Sequence, residues 1–190
     1  MRFNFAPTSH DKLAQSPGKY TWHFDTSHQM WQTLGAEETG ASAFVLPPEA
    51  KLTLSADLPK VDNEICRAGI ESNQPIRITL GPVMGGTALP EGDYRVTLLF
   101  VEPSATAEGQ RVFDLSLGGS LASPVQERLD VFRLAGGRLR VVERSYKVKV
   151  PRPGKLTLTL TPVTDKALIS GVVVQPLESA TPPAPAKSGR

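Results

Sequence analysis

The chain has 190 residues, 39% of them hydrophobic and 21% charged, amounts that suit one soluble domain with a real core. Its 21 basic and 19 acidic residues leave a net charge of +2, too balanced for a dedicated nucleic-acid binder. One cysteine, Cys66, excludes an internal disulfide, and no apolar run is long enough to span a bilayer.

Residues 1–42 are polar and irregular, and they hold Tyr20, Trp22 and Trp31 together with His10, His23 and His28. They read as an irregular segment packed on the body that follows, with a first strand or two and a long surface excursion. The body has no histidine, which excludes a histidine metal site there, and no Asp-rich loop points to calcium. The first residues, MRFNFAPTSHDK, lack the apolar core of a signal peptide.

Residues 43–178 form that body. No segment has a convincing helical period, whereas period-two alternation recurs. It predicts strands over 51–55 (KLTLS), 75–80 (PIRITL), 93–101 (DYRVTLLFV), 111–117 (RVFDLSL), 145–150 (SYKVKV), 155–160 (KLTLTL) and 168–174 (LISGVVV). The run 93–101 is the longest and most apolar, which suits a central strand. In 155–160, Leu156, Leu158 and Leu160 share one face while Thr157 and Thr159 share the other, the pattern of an antiparallel sheet with one wet side. Turn residues separate the runs at 89–93, at the glycine pairs 118–119 and 136–137, and at 152–154. Many short strands without intervening helices imply an all-β sandwich or barrel. Residues 179–190 (SATPPAPAKSGR) have linker composition, so a domain boundary is expected near residue 178, with the domain part of a larger chain.

Six segments in order resemble the malectin-like family. Residues 92–102 (GDYRVTLLFVE) are similar to the family's G-x-Y-x-V-x-L-x-F-A-E strand, and 109–119 (GQRVFDLSLGG) to G-x-R-V-F-D-V-x-I-N-G. Residues 129–137 (LDVFRLAGG), 153–160 (PGKLTLTL) and 167–174 (ALISGVVV) follow its later segments, and 62–69 (DNEICRAG) resembles an upstream one, with Asp62, Arg67 and Gly69 in place. The resemblance implies a single-domain antiparallel jelly-roll-like β-sandwich. It also implies a non-catalytic carbohydrate-binding module that targets a larger protein to a glycan, outside the cell or in its envelope, with no cofactor.

The sequence departs from the family where sugar is held. An aromatic pair follows the F-A-E motif in the family, and those positions read Ser104 and Ala105; another aromatic follows the upstream arginine, and that position is Ala68. Sugar sites use flat aromatic faces against C–H surfaces, and hydrogen bonds alone compete poorly with water. The candidate ligand residues are therefore Tyr20, Trp22, Trp31, Arg67 and Ser104. The partner is either an oligosaccharide or polysaccharide, or another protein domain bound by a sandwich that has lost the sugar pocket.

The remaining constellations have structural readings. His23, Asp25, Ser27 and His28 cluster in sequence without the strained turn of a hydrolase nucleophile. Glu102 and Asp114 lie inside family motifs and are expected to be structural, with Asp114 tying a strand to its neighbour. Cys66 reads as a small buried hydrophobe. The basic run 138–152 reads as a solvated face, with an anionic glycan or acidic partner as the alternative.

Overall fold

The computed structural model describes residues 2–4, 21–24, 30–33, 41–56, 65–80, 89–119, 122–150 and 152–177. Alternation decides the first sheet. In β6 (Ile76–Leu80) and β11 (Leu156–Thr164) the residues Ile76, Ile78, Leu80, Leu156, Leu158 and Leu160 are buried, while Arg77, Thr79 and Thr157 are exposed. A period of two sends alternate side chains to opposite faces, so these strands line a core with one face and meet water with the other. With β8 (Val112–Gly119) and β9 (Ala122–Leu129) they form a four-stranded antiparallel sheet, ordered β6-β11-β8-β9.

The strand β7 (Gly92–Val101) is different, because Val96 through Val101 are buried without alternation. It sits between β10 (Val141–Val150) and β13 (Gly171–Pro176) in a six-stranded sheet. That sheet continues through β1 (Arg2–Asn4), β3 (Met30–Thr33) and β2 (Thr21–Phe24). Every pairing is antiparallel except β1 with β3. A third, three-stranded sheet is ordered β12-β5-β4, from β12 (Ala167–Ile169), β5 (Ala68–Ser72) and β4 (Ser42–Val45).

The main core lies between the sheets. Val96, Leu98 and Phe100 of β7 meet Phe113, Leu115 and Leu117 of β8 and the leucines of β11. The rings of Phe100 and Phe113 pack with centroids 6.0 Å apart, tilted by 46°. Burying each such side chain contributes about 1.5–3 kcal/mol, so this layer is what holds the sandwich together. A second cluster covers the opposite face of the six-stranded sheet: Leu46, Ile65 and Cys66 pack on Leu99, Val101 and Val173. That cover explains why β7 is apolar on both faces. Cys66 is fully buried there, as its sequence context implied.

Close approach fixes one glycine. Phe44 of β4 pairs with Gly69 of β5, and a Cβ at Gly69 would fall 2.6 Å from the Phe44 ring and 2.5 Å from the Ile169 carbonyl oxygen. Only a residue without a side chain lets the ring and the neighbouring strand meet there.

Four local expectations are corrected. Residues 51–55 are not a strand; Thr53 alone makes a bridge, to Arg140. Ala50 and Leu52 pack on the second cluster, but Leu54, the other apolar position of the alternation, is exposed, so the period does not mark one buried face. The pair Gly118–Gly119 lies inside β8 and is not its turn. The apolar run 168–174 is two strands, because the chain passes from one sheet to another at Ser170, whose N–H donates to the Leu99 carbonyl at 2.9 Å. There is also one short helix, α1 (Val131–Ala135). Asp130 caps it by accepting from the Arg133 N–H, and Gly136 ends it in the left-handed region at φ 66°.

Candidate functional site

The loop from Glu102 to Arg111 joins β7 to β8, and two side chains mould it. Glu102 Oε1 accepts from the backbone N–H groups of Ser104 at 2.9 Å and Ala105 at 2.8 Å. Gln110 Oε1 accepts from Thr106 N–H at 2.8 Å and Ala107 N–H at 3.3 Å. Gly109 turns at φ 79° and donates to Asp130 Oδ2 at 2.6 Å, while Leu139 N–H donates to the Glu102 carbonyl at 2.9 Å. The loop is thereby tied to α1 and to the start of β10.

Beneath the loop lies a buried charge cluster centred on Arg111, whose side chain is 3% exposed. Its Nε touches Glu102 Oε2 at 2.9 Å, an ionic contact with the N–H off the hydrogen-bond direction. Its Nη1 donates to Glu71 Oε2 at 3.0 Å and its Nη2 donates to Ser104 Oγ at 3.0 Å. Asp165 Oδ2 lies 3.6 Å from Nη2. Lys166 closes the cluster by donating to Glu71 Oε1 at 2.7 Å. Three segments thus converge at one edge: the loop that ends at Arg111, β5, and the turn between β11 and β12 that holds Asp165, at φ 57°, and Lys166. Burial works to raise the Glu71 carboxyl, but the Lys166 hydrogen bond and the Arg111 charge outweigh it and hold the group below the usual carboxylate range.

The charges of this cluster compensate one another. Glu102 is fully buried and spends both oxygens on Arg111 and on two N–H groups, so it has no proton-transfer role to offer. The expectation that Glu102 is structural matches this geometry. Asp114 and Arg128 stand opposite one another on β8 and β9 and pair in a two-point contact, at 2.7 and 3.0 Å. The arginine hydrogen bond keeps Asp114 below its ordinary range. They border an open groove of about 510 Å³ that is lined also by Leu115, Ser116, Glu127 and Thr161, with no aromatic face.

The candidate residues are not brought together. Ser104 stands in the loop, its hydroxyl shared between Arg111 and Glu102. Ala105 is buried at 8% exposure and Ala68 at 0%, so neither position opens onto a pocket. Arg67 is engaged elsewhere: Nη1 donates to the Ala50 carbonyl at 3.3 Å and its own carbonyl accepts from Leu46 N–H, holding the cover of the second cluster. Tyr20 lies outside the described residues. Trp22 and Trp31 are placed by backbone register, opposite Gln32 and His23 in the β2–β3 pair. Asp62 and the cluster Asp25, Ser27 and His28 also lie outside the described residues. Sequence reasoning missed Glu71, Asp165 and Lys166. Glu71 is the one charge in the run AGIES, and a lone carboxylate in an otherwise buried strand is a signal that a cation faces it.

Comparisons with known proteins agree on the fold. Residues 86–177 match the family model described as Malectin domain. A chain in the crystal structure of the plant peptide RALF23 in complex with FER and LLG2 superposes with a TM-score of 0.66 at 17% identity, over 94% of this chain and 48% of that one. The extracellular domain of ANXUR2 from Arabidopsis thaliana gives 0.62 at 12% identity, over 95% and 49%. The β-glucuronidase of Bacteroides uniformis gives 0.55 at 15% identity, over 83% of this chain and 17% of that one. The chain therefore spans about half the length of the plant structures it matches. No curated protein matches the sequence.

Proposed function

Since this chain carries a malectin domain over residues 86–177, we propose that it is a non-catalytic domain that binds another protein and no longer holds sugar in the family's loop pocket. One observation carries this reading. The positions of the family's sugar-stacking aromatics are Ser104, Ala105 and Ala68; the two alanines are buried, and the serine is committed to Arg111 and Glu102. Without aromatic faces, and with the Ser104 hydroxyl already bonded to Arg111 and Glu102, the loop has little to offer a neutral sugar in competition with water.

The lack of catalysis is supported by the carboxylates. Glycoside hydrolysis needs two carboxyl groups across a cleft, one able to hold a proton. Glu102, Glu71 and Asp165 instead surround one buried arginine, and Asp114 is paired with Arg128. A plant structure of similar fold was solved with a peptide and a protein partner, which favours protein binding for this fold at comparable coverage. By the same likeness to receptor ectodomains, the domain works outside the cell or in its envelope, as part of a larger protein. The body over residues 43–178 is its functional unit. A sugar-binding reading would rest on Tyr20, Trp22 and Trp31, and it is favoured only by the register that sets the two tryptophans on one strand pair.

Titration calorimetry against neutral and anionic oligosaccharides tests the proposal. We expect no heat of binding from any neutral sugar. Saturable binding of an α-linked glucose disaccharide that is lost in Ser104→Ala would overturn it.

A further inference from the structure

Resting on the reading of the domain as protein-binding, we infer that the exposed cationic strip around α1 is the docking face for an acidic, leucine-contacting segment of a partner protein. The strip holds Lys51, Arg133, Arg138 and Arg140, with Leu54 and Leu134 among them, and all six are exposed.

Local structure assembles it. The helix stops at Gly136, whose N–H donates to the Arg133 carbonyl at 3.2 Å, and Gly137 N–H donates to the Phe132 carbonyl at 3.0 Å. This double-bonded helix end turns the chain back at once. Arg140 then lies over the glycine pair: a Cβ on Gly137 would sit 3.6 Å from its Nε, and one on Gly136 3.9 Å from its Nη1. Thr53 N–H donates to the Leu139 carbonyl at 2.8 Å and Val141 N–H donates to the Thr53 carbonyl at 2.9 Å, which lays residues 51–55 along the same turn. The strip also borders the Ser104 loop, through the bonds from Leu139 to Glu102 and from Gly109 to Asp130.

The four charges are exposed, and Glu108 in the bordering loop is exposed as well. Among the described residues, ion pairs engage Arg111, Arg128, Arg144, Lys147 and Lys166, and none engages the four cations of the strip. Asp130, the acid nearest α1, is spent on the N–H groups of Arg133 and Gly109. Glu102 is buried with Arg111. Glu49, in the turn before Lys51, is the one exposed acid close in sequence to the strip's first cation.

Three of the four cations are arginines, whose planar forks suit two-point carboxylate contacts. Leu54 and Leu134, exposed at 47% and 37%, lie on the same backbone segments, next to Thr53 of the bridge and on α1. A sulfated glycan or a nucleic acid would use the charges and leave the leucines in water. A peptide with acidic and apolar residues uses both, and buried apolar and arginine anchors are what carry interface energy.

The test selects a random peptide library displayed on phage against the whole chain. Enriched peptides are then measured by fluorescence anisotropy on wild type and on R138E/R140E, with heparin as competitor. Arg138 and Arg140 are exposed, so the thermal midpoint of the variant should match wild type, and Arg138→Ala serves if the double variant does not fold. We expect enriched sequences with acidic residues beside apolar ones. Their affinity should fall at least about tenfold in R138E/R140E and fall with added salt. Peptides without acids, equal binding to the variant, no enrichment, or heparin binding more tightly than any peptide would each overturn the inference. In those cases the protein-binding reading itself stands unless the neutral-sugar titrations are positive.

Discussion

Arg111→Met removes the centre of the buried cluster. Arg111 and Glu102 are 3% and 0% exposed and touch at 2.9 Å, and Glu71 is 17% exposed. Taking out one partner of such a pair leaves a buried charge uncompensated, which costs about 3–5 kcal/mol. Glu71 keeps Lys166 and Glu102 keeps its two N–H donors, so the loss should sit toward the lower end of that range. Glu102→Gln placed on top of Arg111→Met removes the stranded charge while keeping an acceptor for Ser104 and Ala105. The double variant should therefore recover part of the loss, a coupling that a double-mutant cycle reads directly. Urea denaturation supplies the numbers, with an unchanged denaturant slope confirming that the same fold is being compared. An Arg111→Met variant within about 1 kcal/mol of wild type, the value of an exposed pair, would refute the claim that this cluster is a buried keystone.

Three further outcomes follow from the packing and charge. Gly69→Ala should destabilise by about 1–3 kcal/mol, since its Cβ would overlap both the Phe44 ring and a strand carbonyl, and Phe44→Leu in the same chain should relieve part of this. Because Glu71 is held below its ordinary value of 4.5, its contribution is present above that pH and is lost as pH falls through the depressed value; Glu71→Gln should lower stability at neutral pH and flatten the acid limb of stability against pH. Asp114→Ala should change stability by no more than about 1 kcal/mol, since Asp114 and Arg128 are 45% and 64% exposed.

Much of the fold was legible because burial leaves a period. The alternating leucines of 155–160 marked a strand with one wet face, and the longer, more apolar run of 93–101 marked a central strand; β11 and β7 are found as such. The glycine pair 136–137 marked a reversal through residues that tolerate positive φ. The segment 51–55 misled because its alternating leucines do not share a buried face: Leu52 packs on the second cluster while Leu54 faces water. The run 168–174 misled because a continuous apolar stretch carries no mark of the residue where the chain changes sheets. The candidate site was half legible. Glu102 and Arg111 lie in recognisable motifs with Ser104 in the short spacer between them, so their meeting could be expected. Glu71 is 95 residues from Lys166 and meets it through the pairing of β12 with β5, and it is 40 residues from Arg111 and meets it only where two sheets come together. The strip around α1 was partly visible as basic composition, but the contribution of Lys51 and Leu54 depends on the single bridge from Thr53 to Arg140.

The most direct test of the central claim follows the amide resonances of Ser104, Ala105 and Lys166 while neutral α-linked glucose oligosaccharides are added. A loop without aromatic faces, its Ser104 hydroxyl bonded to Arg111 and Glu102, predicts no concentration-dependent shift at any of the three. A saturable shift at Ser104 and Ala105, absent in Ser104→Ala, would show that the loop still holds sugar and would contradict the account.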